Sequence, residues 1–246
     1  MSNIIEARDV SMRFIMERDK TDTIKEYILK MVQRNLKFSE FYARKGVSFG
    51  IQKGESVALI GANGSGKSTM LKIIAGVMRP TRGSVSVEGT IAPLIELGAG
   101  FDGDLTAREN VFLNGALLGH DRREMEHNFQ QIVEVSELGN FIDVPVRSYS
   151  SGMVARLGFA IATQVEADIL VVDEILSVGD YSFQQKCHRR MEEMLAQGST
   201  LLFVSHDAEQ VKRLCKRAIW LDHGNIVQDG PSGPVCDAYL ASQANR

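Results

Sequence analysis

The residues best suited to chemistry lie in one glycine-rich run, Gly61-Ala62-Asn63-Gly64-Ser65-Gly66-Lys67-Ser68-Thr69, which follows the apolar stretch Ser56 to Ile60 and opens a helical pattern from Lys67 to Ala75. The spacing G-x-x-x-x-G-K-[ST] has a physical cause. Glycines let successive backbone N–H groups turn toward one point, and a helix N-terminus adds partial positive charge, so such a loop cradles phosphate oxygens. Lys67 is then placed to neutralise the outer phosphates of ATP, and the Ser68 hydroxyl to ligate Mg2+. Gly61, Asn63, Gly64, Ser65, Gly66, Lys67, Ser68 and Thr69 are therefore the nucleotide-binding candidates.

A second group carries acids. Ile169-Leu170-Val171-Val172 is a continuous apolar run ending in Asp173-Glu174. Such a run fits a strand buried on both faces of a parallel sheet, and ligands of such sheets bind at the C-terminal edge. Asp173 is expected to hold the Mg2+ shell and Glu174 to polarise an attacking water. A third segment, Tyr149-Ser150-Ser151-Gly152-Met153, opens another helical pattern, with small residues that allow close approach to an anion.

These positions need a scaffold, and the periodicity supplies an alternating one. Strands are expected at Ile4 to Val10, Gly46 to Ile51, Ser56 to Ile60, Val85 to Val87, Ile91 to Ile95, Ile169 to Val172, Thr200 to Val204, Ala218 to Leu221 and Ile226 to Val227. Between roughly Leu97 and Val165 the pattern turns helical, with Ala107 to Leu118, Arg122 to Ser136 and Ser151 to Gln164 as segments; further helices are expected at Ser182 to Ala196, Ala208 to Leu214 and near Pro234 to Ser242. A polar, mixed-charge insertion runs from the first strand to about Arg44, and within it Ile24, Tyr27, Ile28, Met31 and Val32 form one apolar stripe at helical spacing.

Composition narrows the function classes. With 28 basic and 31 acidic residues, a net charge of −3, a broad nucleic-acid footprint is not expected. Cys187, Cys215 and Cys236 are odd in number and lack metal spacing, so they read as inert thiols in a reducing compartment. No stretch approaches the roughly 18 to 20 apolar residues that span a bilayer, and the N-terminus lacks the pattern of a secretory signal.

Taken together, the phosphate loop, Asp173-Glu174 and the segments around them resemble the nucleotide-binding domain of ABC transporters over essentially the whole chain. The resemblance implies an α/β fold: a P-loop NTPase core, a RecA-like mixed sheet with flanking helices, joined by an antiparallel β subdomain and an inserted α-helical subdomain. It implies one domain over 1–246, with 1–96 and 166–246 as the catalytic core, a helical insertion at about 19–38, and 97–165 as the helical signature subdomain. Tyr149 to Met153 occupies the place of the family's LSGGQ signature; Ser150 and Gly152 keep its pattern, while Tyr149, Ser151 and Met153 depart from it. In the family this segment contacts the γ-phosphate held by the other subunit, so Ser150, Ser151 and Gly152 join the nucleotide-binding set and the active species is a head-to-tail homodimer.

The resemblance also places Ser177-Val178-Gly179-Asp180 at the D-loop and His206, after the strand Thr200 to Val204, as the switch histidine acting with Glu174 in catalysis. Glu96 stands where the family has a Mg2+-sensing glutamine, so it joins Ser68 and Asp173 as a metal candidate. Phe14 resembles the aromatic that stacks on adenine, with Phe41 and Tyr42 as rivals. YSSGM, the run from 95 to 115 and an insertion before Phe41 resemble one branch, the exporters of lipid-linked polysaccharides: O-antigen, capsule and wall teichoic acid. The implied partners are two copies of a membrane permease and the glycan as cargo, with the chain at the cytoplasmic face of the membrane. Longer members of the branch carry a C-terminal glycan-binding β-sandwich; this sequence ends at Arg246 without one, so either the system does not need it, with substrate choice then expected in the membrane partner, or the chain has been trimmed from a longer one. Another ABC exporter or importer ATPase, or a hydrolysis-impaired regulator given Glu96 and the altered signature, remain alternatives. Lys20, Lys25, Lys30, Arg34 and Lys37, beside Asp19, Asp22 and Glu26, make the insertion either a solvated surface helix or a cap near lipid headgroups. Deleting residues 20–37 is expected to cut transport while sparing basal ATP hydrolysis, as read by export and phosphate-release assays; intact export would dismiss the cap.

Overall fold

The computed structural model describes residues 3–17, 38–95, 97–164, 167–173 and 180–244. Nine strands are described: β1 Asn3–Glu17, β2 Phe38–Gln52, β3 Ser56–Ile60, β4 Arg82–Val87, β5 Ile91–Leu94, β6 Ile169–Val172, β7 Thr200–Ser205, β8 Arg217–Asp222 and β9 Asn225–Pro231. The helices are α1 Lys67–Ile74, α2 Ala107–Leu117, α3 Arg122–Ser136, α4 Ser151–Gln164, α5 Tyr181–Ala196, α6 Ala208–Leu214 and α7 Ser232–Ala244. The strands form a six-stranded sheet in the order β5-β6-β7-β3-β8-β9 and a three-stranded antiparallel sheet in the order β2-β1-β4.

In the larger sheet β5, β6, β7, β3 and β8 run parallel and β9 closes the edge antiparallel. Its apolar runs are buried on both faces, and the period-two side-chain alternation divides them between two cores. Ala58, Ile60, Leu170, Val172, Leu201, Phe203, Ala218 and Trp220 face the core that contains Phe183, Met191 and Tyr239 of α5 and α7. Val57, Leu59, Ile169, Val171, Leu202, Val204, Ile219 and Leu221 face the core shared with α1 and the antiparallel sheet. A polar side chain at any of these aliphatic positions would cost one core or the other.

A third core is made of helices alone, with Ala107, Val111, Met125, Ile132, Leu157, Ala160 and Ile161 at its centre. Its entry loop is held by polar groups. Asn110, fully buried, accepts from Asp102 N–H at 2.8 Å and donates to the carbonyls of Asp102, Leu105 and Thr106, while Asn114 donates to Ala99 O at 3.0 Å. The Thr106–Glu109 capping box starts α2.

The α/β pattern and the helical segments fall where the sequence places them, but one expectation is corrected. The first strand does not stop at Val10, and the insertion does not reach Arg44: β1 and β2 form a long antiparallel ribbon whose pairing ends at Glu17 opposite Phe38. A signal for it was present in the chain, since Val10, Met12 and Phe14 alternate with Ser11 and Arg13 and the apolar Ile15 and Met16 follow. The ribbon is irregular near Asp9, whose φ of 49° is in the left-handed region and coincides with register shifts. The helical stripe at residues 24 to 32 lies outside the described residues. The three cysteines are all buried, and burial pushes the Cys187 and Cys215 thiols up to about 12, as inert thiols require.

One close approach joins the helical cluster to the sheet. A Cβ on Gly158, in the middle of α4, would lie 2.6 Å from Gly98 N and 3.1 Å from Leu97 C, both backbone atoms. Gly158→Ala should therefore destabilise the protein by about 1–3 kcal/mol despite the better helix propensity of alanine. Chemical denaturation checks this; a gain in stability would mean that the helix and the 97–98 backbone are not in contact.

Candidate active site

The register of the parallel strands decides what meets at the sheet edge. Ile60 is paired with Ser205, and Val172 with Phe203, so the chain leaves β3 as the phosphate loop, leaves β7 as His206 and leaves β6 as Asp173 two rows behind. The strands are neighbours in the order β6-β7-β3, with a spacing of about 4.8 Å, so the three exits lie within about 10 Å across the sheet.

The loop between β3 and α1 is built for an anion. Gly61 passes so near the neighbouring strand that a Cβ would sit 2.2 Å from Leu221 O. Ser65 N–H closes a turn onto Ala62 O at 3.1 Å, and Gly66, left-handed at φ 98°, is the N-cap. No side chain caps α1 and no acid lies in its first turn. By contrast, α2, α3, α5 and α6 each open on a capping side chain, Thr106, Asp121, Asp180 and Asp207. A helix opened by glycine in this way leaves the role of cap to a bound anion.

Lys67 is only 8% exposed. Its ammonium folds over the loop and donates to Gly61 O at 2.7 Å and Ala62 O at 3.0 Å, which places a positive charge inside the cradle. Ser65 Oγ is buried with no hydrogen-bond partner, a costly state that a phosphate oxygen would relieve. Asn63, Gly64 and Ser68 are exposed along the loop and Thr69 is half-buried.

The other two strand exits follow β6 and β7. Asp173 is half-buried directly after β6. His206 is exposed between Ser205, whose Oγ accepts from Asp207 N–H at 3.0 Å, and Asp207, whose carboxylate accepts from Glu209 N–H and Gln210 N–H at the start of α6. Glu174 and Glu96 lie outside the described residues. Among the described residues no group of three or more His, Cys, Asp or Glu could hold a metal ion by itself. That donor set fits Mg2+ arriving with phosphates, with the Ser68 hydroxyl and the Asp173 carboxylate as hard oxygen ligands.

Phe14 lies in β1 opposite Phe41, and Arg13 lies opposite Tyr42, so the three aromatics proposed for adenine belong to one stretch of ribbon. Ser150, Ser151 and Gly152 are not brought to the phosphate loop of their own chain. They open α4 in the helical core, and the hydrogen bonds of Ser150 stay within that turn, to Met153 N–H at 3.3 Å and Val154 N–H at 3.0 Å. A Cβ on Gly152 would meet nothing nearer than Ser150 Oγ at 3.8 Å; nothing inside this chain requires glycine there. Sequence reasoning passed over Asn110, Asn114 and Gly158, although an Asn pair at i, i+4 in an apolar helix was a readable sign of buried polar anchoring.

Residues 44–177 match the family model described as "ABC transporter". The chain is 43% identical over 246 residues to "O-antigen export system ATP-binding protein RfbB" of Klebsiella pneumoniae, covering 99% of this chain and 100% of that one. It is 40% identical to "Teichoic acids export ATP-binding protein TagH" of Bacillus cereus, covering 98% of this chain and 43% of that one. The solved "Structure of ATP binding subunit of ABC transporter" superposes with a TM-score of 0.74 at 23% identity over 96% of this chain and 93% of that one, a likeness of fold. The sheet with its phosphate loop defines a P-loop NTPase. The chain belongs to the ABC transporter family.

The unpartnered hydroxyl gives a test with opposite signs. Ser65→Ala should raise the stability of the nucleotide-free protein by about 1 kcal/mol and shrink the further stabilisation that ATP produces. Thermal melts with and without Mg-ATP read both; a less stable free protein, or an unchanged nucleotide shift, would contradict the assignment of Ser65 to the cradle.

Proposed function

We propose that this chain is the ATP-hydrolysing subunit of an ABC exporter that drives a lipid-linked polysaccharide, of the O-antigen, capsule or teichoic acid kind, across the membrane through a separate permease. The observation that carries the ATPase reading is the alignment of an uncapped helix with Lys67, Asp173 and His206 on three adjacent strand ends. The cargo follows the printed functions of relatives at 40% and 43% identity over nearly all of this chain.

In the working cycle the amides of the phosphate loop and Lys67 hold the β- and γ-phosphates, and Glu174 polarises the attacking water while His206 orients the γ-phosphate. Mg2+, held by Ser68 and Asp173 with Glu96 nearby, would neutralise charge on the transferred group. Catalysis of this kind is mostly positioning and charge stabilisation. The exposed Ser150-Ser151-Gly152 turn, which has no steric reason to be small within its own chain, suits docking onto the phosphate loop of a second copy, so that a two-fold dimer encloses two nucleotides.

The permease is assigned to the groove between the edge strand β5, the end of α1 and the helical subdomain. A cavity of about 110 Å3 there is lined by Val77, Pro93, Ile95, Leu97, Leu118 and Ala162, and Leu113 and Leu117 are exposed beside it. Through Gly98 against Gly158, and Ala99 against Asn114, motion of the 97–99 backbone would be passed to α4 and α2. Residues 97–165 accordingly move as a rigid body against the core of a single 1–246 domain. Among the described residues no helix is long and apolar enough to cross a membrane, so attachment at the cytoplasmic face is assigned to the permease.

Glu174→Gln should reduce phosphate release by at least about a hundredfold, as expected for loss of the group that activates water, and trap an ATP-dependent dimer in size-exclusion chromatography. Turnover near the wild-type rate would remove Glu174 from the mechanism.

A further inference from the structure

We infer that Arg156 is a positioning residue for hydrolysis: it ties the helix that begins at Ser151 to Asp180, six residues beyond the carboxylate of Glu174. The inference rests on the ATPase reading above.

Arg156 projects from the second turn of α4 and is 20% exposed. One arm, Nη2, donates to Asp180 Oδ2 at 2.6 Å, and the other, Nη1, to Glu137 Oε2 at 2.6 Å. The guanidinium also lies over the Phe183 ring, 4.9 Å from its centroid, and that ring packs edge-on against Phe159 of α4 at 5.8 Å. Glu137, the residue that ends α3, adopts a left-handed backbone at φ 56° and is paired on its other oxygen with Lys186 of α5. Three helices therefore meet at one guanidinium.

The arrangement has more than a cohesive role because each partner is anchored without Arg156. Asp180 caps α5 through Phe183 N–H at 2.9 Å, Glu137 keeps Lys186, and Phe159 and Phe183 lie in a large apolar core. Loss of Arg156 leaves these contacts in place and severs the charged link between the signature turn and the chain that continues from Asp173. That link is what would let docking at Ser150 to Gly152 and the position of the catalytic carboxylate depend on each other. Displacement of a catalytic group by about 1 Å can cost about a hundredfold in rate.

The test compares the full chain with Arg156→Met, Arg156→Lys, Asp180→Asn and the Arg156→Met/Asp180→Asn double variant. Asp180 is 62% exposed and asparagine is an equally good helix cap, so Asp180→Asn folds even if an Arg156 variant does not. Phosphate release at saturating Mg-ATP, fluorescent-nucleotide affinity and melting temperature are measured for each. Arg156→Met and Asp180→Asn are each expected to lower kcat by roughly tenfold with nucleotide affinity changed by less than about twofold; the double variant should be no slower than either, and Arg156→Lys should recover part of the rate. Normal turnover in Asp180→Asn, multiplying effects in the double variant, or a loss of affinity that tracks a loss of stability would overturn the inference. A wild-type chain that releases no phosphate overturns the ATPase reading itself, and this inference with it.

Discussion

Burial of one parallel sheet on both faces is the constraint on which the rest of the molecule depends. Because Val57 to Ile60, Ile169 to Val172 and Leu201 to Val204 each divide their side chains between two cores, a one-residue slip of any strand would exchange its two faces and cost both. The register is therefore fixed, and with it the relative heights of Gly61, Asp173 and His206. Chemistry that needs a phosphate cradle, a carboxylate and a histidine at one edge of the sheet gains its geometry from the packing of aliphatic side chains that touch none of the reactants.

What the sheet positions, the helical subdomain must be able to reach and leave. It has its own core, and it meets the sheet through Phe159 and Ala162 of α4 and at a close backbone contact where Gly158 rides on Gly98 and Leu97. A contact without side chains between the two backbones is stiff against compression, so movement of the 97–99 strand exit is carried directly into α4. The polar anchors Asn110 and Asn114 tie α2 to the same loop, through the carbonyls of Asp102, Leu105 and Thr106 and that of Ala99. Arg156 adds an ionic tie on α4, two residues before Gly158. The subdomain thus has a core of its own and is connected to the rest of the chain at several specific points.

The fold and much of the site were legible because their signals are local. Glycine spacing before Lys67 reports a loop conformation, and an apolar run ending in Asp173 reports a doubly buried strand end; each arises within fewer than ten residues. The continuation of β1 through Phe14 and Met16 was obscured by Ile15, which breaks the alternation, and by the mixed-charge residues that follow. Gly158 was unreadable for a different reason: its requirement comes from a backbone about sixty residues away in the chain, at Gly98. Arg156 is similar, since an arginine on a helix is ordinary until the structure brings Glu137 and Asp180 to it. Long-range approach, rather than residue type, separates what could be read from what could not.

The most direct measurement is the structure of the chain bound to Mg-ATP. The account places the β- and γ-phosphates on the amides of residues 62 to 68, with the Lys67 ammonium withdrawn from Gly61 O and Ala62 O to the phosphates and Mg2+ between Ser68 and Asp173. Phosphates seated away from this loop, or Lys67 still bonded to the loop carbonyls with nucleotide present, would contradict it.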